Sequence, residues 1–217
     1  KWLIMLKIKK FEFNPFSENT YLVYDEENNS VIIDPGCYYP HEEQELNNFI
    51  ISNKLSVNAI LHTHSHLDHM FGTAYFANKY KLKVFIHPKD EITYNSFQKV
   101  CSMYGIPVKL DAISTVNYFD LSKCFQIGKH QLEIRFVPGH SPGHVVFYSQ
   151  ENNFVINGDC LFQGSIGRTD LPGGEHNKLI SSIKDQLFTL PDETLVYCGH
   201  GPETTIVQEK LTNPFLR

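Results

Sequence analysis

The sequence of 217 residues contains few cysteines, and they form no recognisable pattern. There are five, an odd number, and no two of them are spaced as a CxxC pair: Cys37, Cys101, Cys124, Cys160 and Cys198. A framework of disulfide bonds is therefore not expected. Because disulfide-rich proteins belong to oxidising compartments, this composition favours a reducing cytoplasm as the location of the protein.

Long hydrophobic runs and basic blocks are also missing. No apolar run approaches the roughly 18 residues that a membrane-spanning helix requires. The first six residues form a short apolar patch without the cleavage site of a signal peptide. Met5 is a candidate start, so residues 1–4 are left out of the functional interpretation. With a formal net charge of −5 and no basic block, the chain is expected to have no membrane partner and no nucleic-acid partner.

What is present is the composition of an ordinary globular protein, 41% hydrophobic and 20% charged. The sequence shows no internal repeat, no low-complexity segment and no linker. A chain of this length is compatible with one large α/β domain. Residues 1–217 are therefore interpreted as a single domain.

Predicted strands and helices are mixed along the chain. β-branched and aromatic residues predict strands over 19–24, 30–33, 57–61, 83–86, 132–137, 145–148, 154–156 and 194–197. Helical spacing of apolar residues predicts helices over 41–53, 72–80 and 179–187. Residues 88–130 are expected to contain one or two more helices. This mixture indicates α/β or α+β layers.

A cluster of candidate metal ligands follows the predicted strand 57–61. It comprises His64, His66, Asp68 and His69 within the segment THSHLDH. Alternate residues of an extended segment point to the same side, so His64 and His66 can hold one ion, while Asp68 and His69 can reach a second. Imidazole and carboxylate ligands in this combination suit zinc, iron or manganese. A polar loop that is rich in histidine by chance does not explain four such residues at a strand end.

Three later loops each add one candidate ligand. They have the sequences PGHSPGH, NGDC and CGHGP, and they contain His140, Asp159 and His200. Each loop adjoins a predicted strand, where a rigid scaffold can position functional side chains. Their glycines allow the backbone to approach an ion closely, because glycine carries no Cβ atom. Together with the histidine cluster, these loops predict a metal centre.

The order of these motifs resembles that of a known family. HxHxDH, PGHxPG, GDxL and GHGPxT occur here as in the metallo-β-lactamase superfamily, and the similarity is greatest to its short glyoxalase-II-like hydrolases. The resemblance extends over nearly the whole chain, from the NTY and IDPG segments through GRTD to the terminal NPF. It implies an α/β (α+β) fold, a four-layer αββα sandwich with the metal site at the edge of the two sheets.

The resemblance also implies how two divalent metal ions are held. All seven positions carry the expected residue type, and they divide into two groups and a bridge: His64, His66 and His140 for the first ion, Asp68, His69 and His200 for the second, and Asp159 between them. Zinc is expected, with iron and manganese as alternatives. Two such ions lower the pKa of bound water, so a hydroxide that bridges them can attack a carbonyl at neutral pH.

By the same resemblance, the small-molecule substrate is a thioester of the hydroxyacylglutathione type. A thiol leaving group has a pKa near ~8.5 and needs no strong general acid, and the motifs contain no obvious one. Asp68 is placed to receive the proton of the nucleophile as well as to bind metal. Full-length relatives carry an added C-terminal helical region that binds glutathione, whereas this sequence ends at Arg217, so the thiol carrier is left open. The protein is expected to be a monomer or a small homo-oligomer.

A second interpretation belongs to a different enzyme class. Persulfide dioxygenases are similar over the same motifs, including GRTD, but use a single iron ion held by two histidines and one aspartate. The corresponding residues here are His64, His140 and Asp159. The hydrolase is preferred because the NPF segment and the Gly173-Gly174 pair are more similar to those of the short hydrolases.

Arg168 and Asp170 lie in a loop that is expected to border the site. Arg168 is assigned to catalysis as a bidentate partner for a carboxylate of the substrate. The alternative is a local salt bridge between the two residues that shapes the loop.

Several other residues near the motifs have structural interpretations as well as functional ones. Asp34 either orients a metal-bound histidine or caps a tight Asp-Pro-Gly turn. His144 either supports the ligands from behind or has a structural role, and His62 is expected to pack at the strand end. Cys160 is interpreted as buried and inert. The remaining histidines carry no motif and are treated as surface or packing residues: His41, His87, His130 and His176.

Overall fold

The computed structural model describes residues 5–107 and 116–217. In this part of the chain there are two six-stranded sheets, a two-stranded ribbon and five α-helices. Residues 1–4, which were set aside above, lie outside the described residues. So do residues 108–115, which belong to the region expected to contain one or two helices.

The first sheet is built from the N-terminal half of the chain. Its strands are β1 (Lys7–Phe13), β2 (Glu18–Tyr24), β3 (Asn29–Ile33), β4 (Ser56–Leu61), β5 (Lys83–Ile86) and β6 (Asn117–Tyr118). They lie in sequence order, antiparallel from β1 to β3 and parallel from β3 to β6. Parallel neighbours require crossover connections. These connections contain α1 (Pro40–Ser52), α2 (Thr73–Tyr80) and α3 (Glu91–Met103).

The second sheet is built from the C-terminal half. Its first four strands are β7 (Phe125–Ile127), β8 (His130–Phe136), β9 (Val145–Ser149) and β10 (Phe154–Gly158). The ribbon β11 (Leu161–Phe162) and β12 (Ser165–Ile166) and then α4 (His176–Ser182) follow. The chain returns through β13 (Leu195–Cys198) and β14 (Thr204–Thr205) to α5 (Ile206–Thr212). The order across the sheet is β14-β13-β10-β9-β8-β7, with β10 and β13 parallel.

The two sheets pack face to face over an apolar core. Side chains of a strand alternate between its two faces, and here one set of alternate residues fills the space between the sheets. This inner set includes Tyr21, Val23, Val31, Ile33, Ala59 and Leu61 from the first sheet and Leu132, Ile134, Val145, Phe147 and Ile156 from the second. The core therefore fixes how the edges of the two sheets face each other.

The other set of alternate residues packs against helices. On the first sheet, Leu22, Ile32 and Ile60 contact Leu46 and Ile50 of α1 and Phe76 of α2. On the second sheet, another cluster of buried apolar residues packs the strands against α4 and α5. Both sheets are thus covered on both faces, which confirms the four-layer αββα sandwich. No helix of the described ranges is long and apolar enough to cross a membrane.

Most predicted elements match the structure to within three residues at each end, whereas the short strands β11, β12 and β14 and the helix α5 were not predicted. Nor was β1 predicted. Its lysines interrupt the apolar pattern, and such residues are common on edge strands, where they discourage pairing with another chain. The region 88–130, which had no clear pattern, contains α3 and part of both sheets. That the chain is a single domain stays a prediction.

The candidate ligands lie where strands end. β4, β8, β10 and β13 each lead into a loop that carries one or more of them. Because the sheets pack face to face, these four loops meet at one edge of the sandwich. The fold therefore brings together residues that are widely separated in the sequence.

His130 at the start of β8 is buried between two glutamates. Its Nδ1 atom lies 2.9 Å from Glu151 Oε2, and its Nε2 atom lies 3.1 Å from Glu26 Oε2. Burial alone would lower the pKa of His130, but the hydrogen bonds to Glu151 and Glu26 outweigh it and raise the pKa. The protonated ring therefore stabilises the folded chain.

We expect His130→Gln to reduce the free energy of unfolding more at acidic than at alkaline pH, with the full difference present below the unfolded-state histidine pKa of about 6.5. The folded-state pKa lies above the unfolded value, so this contribution is complete below the unfolded pKa and disappears as the pH rises through the folded one. Urea denaturation of the wild-type protein and of His130→Gln, from acidic to alkaline pH, measures this contribution. The same loss at every pH would contradict a charged role for His130.

Candidate metal centre

The structure brings all seven candidate ligands together at one edge of the two sheets. The four of the THSHLDH segment follow β4, and the last two of them lie in a single 3-10 turn, Leu67–His69, that leads towards α2. The others follow β8, β10 and β13, as the sequence predicted: His140, Asp159 and His200. Six of the seven form two groups whose ligand atoms lie within 4.8 Å of one another: His64, His66 and His140, and Asp68, His69 and His200.

Three imidazole nitrogens converge in the first group. His140 Nε2 lies 2.9 Å from His66 Nδ1 and 3.2 Å from His64 Nε2. Two nitrogen ligands of a tetrahedral zinc ion, each roughly 2.0–2.1 Å from it, are about 3.4 Å apart. The spacing of these nitrogens is thus close to that of ligands around one small cation.

Outer partners fix which nitrogen of these rings bears the proton. His140 Nδ1 lies 2.7 Å from the carbonyl oxygen of Arg168, which can only accept, so Nδ1 donates. The hydroxyl of Thr63 donates to Asp34 Oδ2 at 2.6 Å and can therefore accept from His64 Nδ1 at 3.0 Å. In the neutral rings of His64 and His140, the Nε2 lone pairs consequently face each other without a proton between them. A cation between them removes this repulsion.

The second group combines lone pairs with carboxylates. His200 Nδ1 lies 3.0 Å from the carbonyl oxygen of Phe16, and His69 Nδ1 lies 3.2 Å from Asp34 Oδ2, so both Nδ1 atoms donate. The opposite Nε2 atoms face Asp68 Oδ2, at 3.2 Å from His200 and 3.8 Å from His69. Nitrogen lone pairs directed at an anion are the arrangement of a cation site.

Asp159 lies between the two groups. Its Oδ1 atom is 3.4 Å from His69 Nε2, and its Oδ2 atom is 3.5 Å from His200 Nε2 and 3.7 Å from His140 Nε2. A Cβ atom at Gly199 would overlap Asp159 Oδ1, so glycine leaves the space that this carboxylate needs. Asp159 Oδ1 and His69 Nε2 are buried and have no hydrogen-bond partner. Such unpartnered buried atoms fit a bound metal ion.

The two groups differ in their electrostatics. Burial, followed by the neighbouring histidines, lowers the pKa of His66 to about 3 and also lowers the pKa of His64. In the second group burial has the same direction, but the Asp159 and Asp68 carboxylates outweigh it and raise the pKa of His200 to about 10. They also raise the pKa of His69. Without a metal ion, protons therefore balance the carboxylates, and metal binding would release them.

Asp34 orients the ligands from behind. Its Oδ1 atom accepts the backbone N–H of Thr63 at 2.8 Å, and its Oδ2 atom accepts the Thr63 hydroxyl and His69 Nδ1. Of the two interpretations of Asp34, these contacts match the orienting one. His62, which was expected to pack at the strand end, is buried there with its Nδ1 atom 3.4 Å from Asp34 Oδ1 and its Nε2 atom 3.2 Å from the hydroxyl of Thr73.

The β1–β2 hairpin supports the site in a way that the sequence did not reveal. Phe16 and Ser17 offer their carbonyl oxygens to His200, and the Asn14 side chain donates to the carbonyl oxygen of Asp68 at 2.9 Å. Asn19 anchors the loop after β13 through hydrogen bonds to the carbonyl oxygens of residues 198 and 201. Backbone acceptors leave no mark on the sequence, and the only available signal was the NTY segment. The supporting role of Thr63 was also missed, because its hydroxyl gains that role only from its position between Asp34 and His64 in the folded chain.

Arg168 contributes to the site through its backbone. Its carbonyl oxygen orients His140, whereas its side chain is 62% exposed and pairs with Asp170 through bonds of 2.7 and 2.8 Å. The local salt bridge is therefore present in the structure. A role of the guanidinium in substrate binding stays a prediction.

An apolar cleft adjoins the second group of ligands. It has a volume of about 250 Å³ and is lined mainly by aromatic side chains: Pro15, Phe16, Tyr38, Tyr39, Phe71 and Ile106. Phe16 connects the cleft to the site, because its carbonyl oxygen accepts from His200. The cleft offers a surface on which an apolar part of a ligand can lie.

Sequence comparisons identify relatives over nearly the full length of the chain. The model of the metallo-beta-lactamase superfamily matches residues 13–200. Hydroxyacylglutathione hydrolase GloC of Haemophilus influenzae is 35% identical, over 97% of this chain and 98% of that protein. The probable metallo-hydrolase YqgX of Bacillus subtilis is 37% identical over the same shares of the two chains.

Solved structures give the same result. The B3 metallo-beta-lactamase BLEG-1 has a TM-score of 0.86 and 34% identity, covering 97% of this chain and 99% of that one. TTHA1623 in a di-iron-bound form has a TM-score of 0.85 and 38% identity, covering 96% and 100%. ETHE1 from Myxococcus xanthus has a TM-score of 0.75 and 25% identity, covering 96% and 83%. The chain belongs to the metallo-beta-lactamase superfamily.

Proposed function

We propose that the protein is a metal-dependent hydrolase that cleaves a small-molecule thioester with two bound divalent metal ions. The observation that carries this proposal is the convergence of nitrogen lone pairs and carboxylates in two adjacent groups, with Asp159 between them. The three nitrogens of the first group would hold one ion, and the second group the other. The donor set favours zinc, with iron or manganese as alternatives.

When bound, two such ions supply an activated water and polarise the carbonyl oxygen of the substrate. Asp68 is partly accessible at the mouth of the site, with its side chain 16% exposed, and would receive the proton of the attacking water. Asp159 would keep the two halves of the site together. The aromatic cleft beside Phe16 would bind an apolar part of the substrate and exclude water from it.

The relatives support a hydrolase activity, but they are weaker evidence for which thiol carrier the substrate contains. GloC, whose name states hydroxyacylglutathione hydrolysis, matches 97% of this chain, as does the probable metallo-hydrolase YqgX. We therefore propose a hydroxyacylglutathione-type thioester as the substrate, and assays with different thiol carriers identify the preferred one. Four of the five free cysteines are buried, which fits the cytoplasm as the proposed location.

A mononuclear iron oxygenase is the second candidate. The ETHE1 structure is similar, and His64, His140 and Asp159 meet here as that interpretation requires. Against it, Asp68, His69 and His200 form a second complete group of ligands that a single iron ion would leave unused. Metal analysis separates the two functions: two ions per chain and no oxygen uptake support the hydrolase, whereas one iron ion and oxygen consumption with a persulfide support the oxygenase.

Replacing the bridging residue tests the proposal directly. We expect Asp159→Ala to lose bound metal and thioester hydrolysis together, with activity reduced at least about 100-fold, because a carboxylate shared by both groups is removed. Elemental analysis and hydrolysis of a lactoylglutathione-type thioester measure the two losses. The control is Asp192→Ala, which removes an exposed carboxylate that pairs with Lys210. Full activity in Asp159→Ala would exclude the bridging role.

Thr63 is expected to support metal binding through His64. Thr63→Val removes the hydroxyl that lies between Asp34 and His64, and we expect metal affinity to fall roughly 10–100-fold. Thr73→Val is a matched control, because Thr73 is also buried and its hydroxyl contacts a histidine that is not a candidate ligand, His62. Competition with a chelator measures both affinities. Equal losses in the two variants would assign Thr63 a purely structural role.

The role of the Arg168 side chain can be separated from that of its backbone. We expect Arg168→Ala to raise KM about 10-fold and to leave the metal content unchanged, because His140 is oriented by the carbonyl oxygen alone. Asp170→Ala, which frees the guanidinium from its salt bridge, provides the comparison. Unchanged kinetics in Arg168→Ala would show that the salt bridge only shapes the loop.

A further inference from the structure

His144 is a fully buried histidine directly behind the metal centre. It lies in the same PGHSPGH loop as the candidate ligand His140, but it belongs to neither group of ligands. Its two ring nitrogens are used elsewhere. Nε2 lies 3.1 Å from the backbone nitrogen of Asp159, and Nδ1 lies 3.1 Å from Cys160 Sγ.

The direction of these hydrogen bonds follows from their donors. The backbone N–H of Asp159 can only donate, so His144 Nε2 is the acceptor and the proton of the neutral ring is on Nδ1. Nδ1 then donates to Cys160 Sγ, and the Cys160 thiol donates to the carbonyl oxygen of Val137 at 3.5 Å. The peptide of Asp159 is thus tied through two buried side chains to the loop that carries His140.

The same ring also contacts the first group of ligands. It stacks on His64 with a centroid distance of 4.8 Å and an interplanar angle of 22°. Gly158, just before Asp159, has a φ of +52°, and a Cβ atom there would lie 2.8 Å from His144 Nε2 and overlap the Thr63 hydroxyl. Glycine at position 158 therefore allows this backbone to approach Thr63 and His144 closely, and His144 Nε2 accepts the Asp159 N–H.

We propose that His144 is a positioning residue that directs the Asp159 carboxylate between the two metal ions. A single methylene group joins the Asp159 carboxylate to its backbone, so the acceptor on His144, which fixes the backbone, also limits where the carboxylate can lie. Cys160 has a supporting role, because its sulfur accepts the hydrogen bond from Nδ1–H and thereby keeps Nε2 as the acceptor. The inference rests on the proposed dinuclear function, to which it adds a residue outside the ligand set.

The test compares variants that keep or remove the acceptor. His144→Phe keeps a ring beside His64 but removes the acceptor, whereas His144→Gln offers an amide oxygen in its place. We expect His144→Phe to bind metal roughly 10–100-fold more weakly and His144→Gln to recover much of that loss. Chelator competition gives the affinities, and the cobalt-substituted proteins report the coordination by their absorption spectra.

A matched control removes the same kind of contact elsewhere. His87 is also buried, stacks on an aromatic ring and accepts a backbone N–H, that of Lys89 at 3.2 Å. His87→Phe should lower thermal stability without changing metal affinity. If His144→Phe and His87→Phe both retain wild-type metal affinity, His144 only fills space and the proposal is overturned.

Cys160 provides an independent test if His144→Phe does not fold. Cys160→Ala removes the partner of Nδ1 and should weaken metal binding, whereas Cys160→Ser retains an acceptor and should not. Equal affinities in these two variants would overturn the proposal. A wild-type protein that binds fewer than two ions would instead contradict the proposed function, so the two failures are distinguishable.

Discussion

Buried negative charge without enough hydrogen-bond donors is the constraint on which this end of the molecule depends. Asp68 and Asp159 face imidazole rings whose Nδ1 protons are directed elsewhere, and Asp159 Oδ1 has no hydrogen-bond partner, with His69 Nε2 3.4 Å away. Unpaired buried charges destabilise a fold by several kcal/mol, on the order of 3–5. Bound cations would balance this negative charge, and without them protons on His69 and His200 balance it, because the carboxylates raise the pKa of both rings. Metal binding and the stability of this edge are therefore coupled.

The site is precise because its ligands are held from behind. In four of the imidazole rings, the nitrogen that faces away from the candidate metal site donates a hydrogen bond to a fixed acceptor. These acceptors are the carbonyl oxygens of Phe16 and Arg168, the Thr63 hydroxyl and the Asp34 carboxylate. They come from the loops after β3, β4 and β12 and from the β1–β2 hairpin, so the packing of these elements determines the direction of the lone pairs. A ligand set that is correct in sequence would not be sufficient if the sheets were displaced.

The ligands could be predicted from the sequence, whereas their supports could not. Ligand chemistry needs particular side chains, so the THSHLDH segment and the three glycine-rich loops identify themselves. The core strands were predicted for a similar reason, because burial on both faces requires apolar runs. The hairpin acts through backbone carbonyls, which every residue has, and β1 resembles a charged loop because it is an edge strand. The hydrogen bonds that give His144 and Thr63 their roles form only when the chain has folded, so the sequence alone does not predict them.

The contact between Asn19 and the loop after β13 has a consequence for biosynthesis. It joins residues separated by 179 positions, and His200 lies in the same loop. A chain that emerges from the ribosome at about 5–20 residues per second displays the first histidine cluster several seconds before its last partner is made. During that interval the nascent polypeptide contains only part of the set of candidate metal ligands. Both ions can therefore be bound only after β13, the later strand of the parallel pair, has been translated.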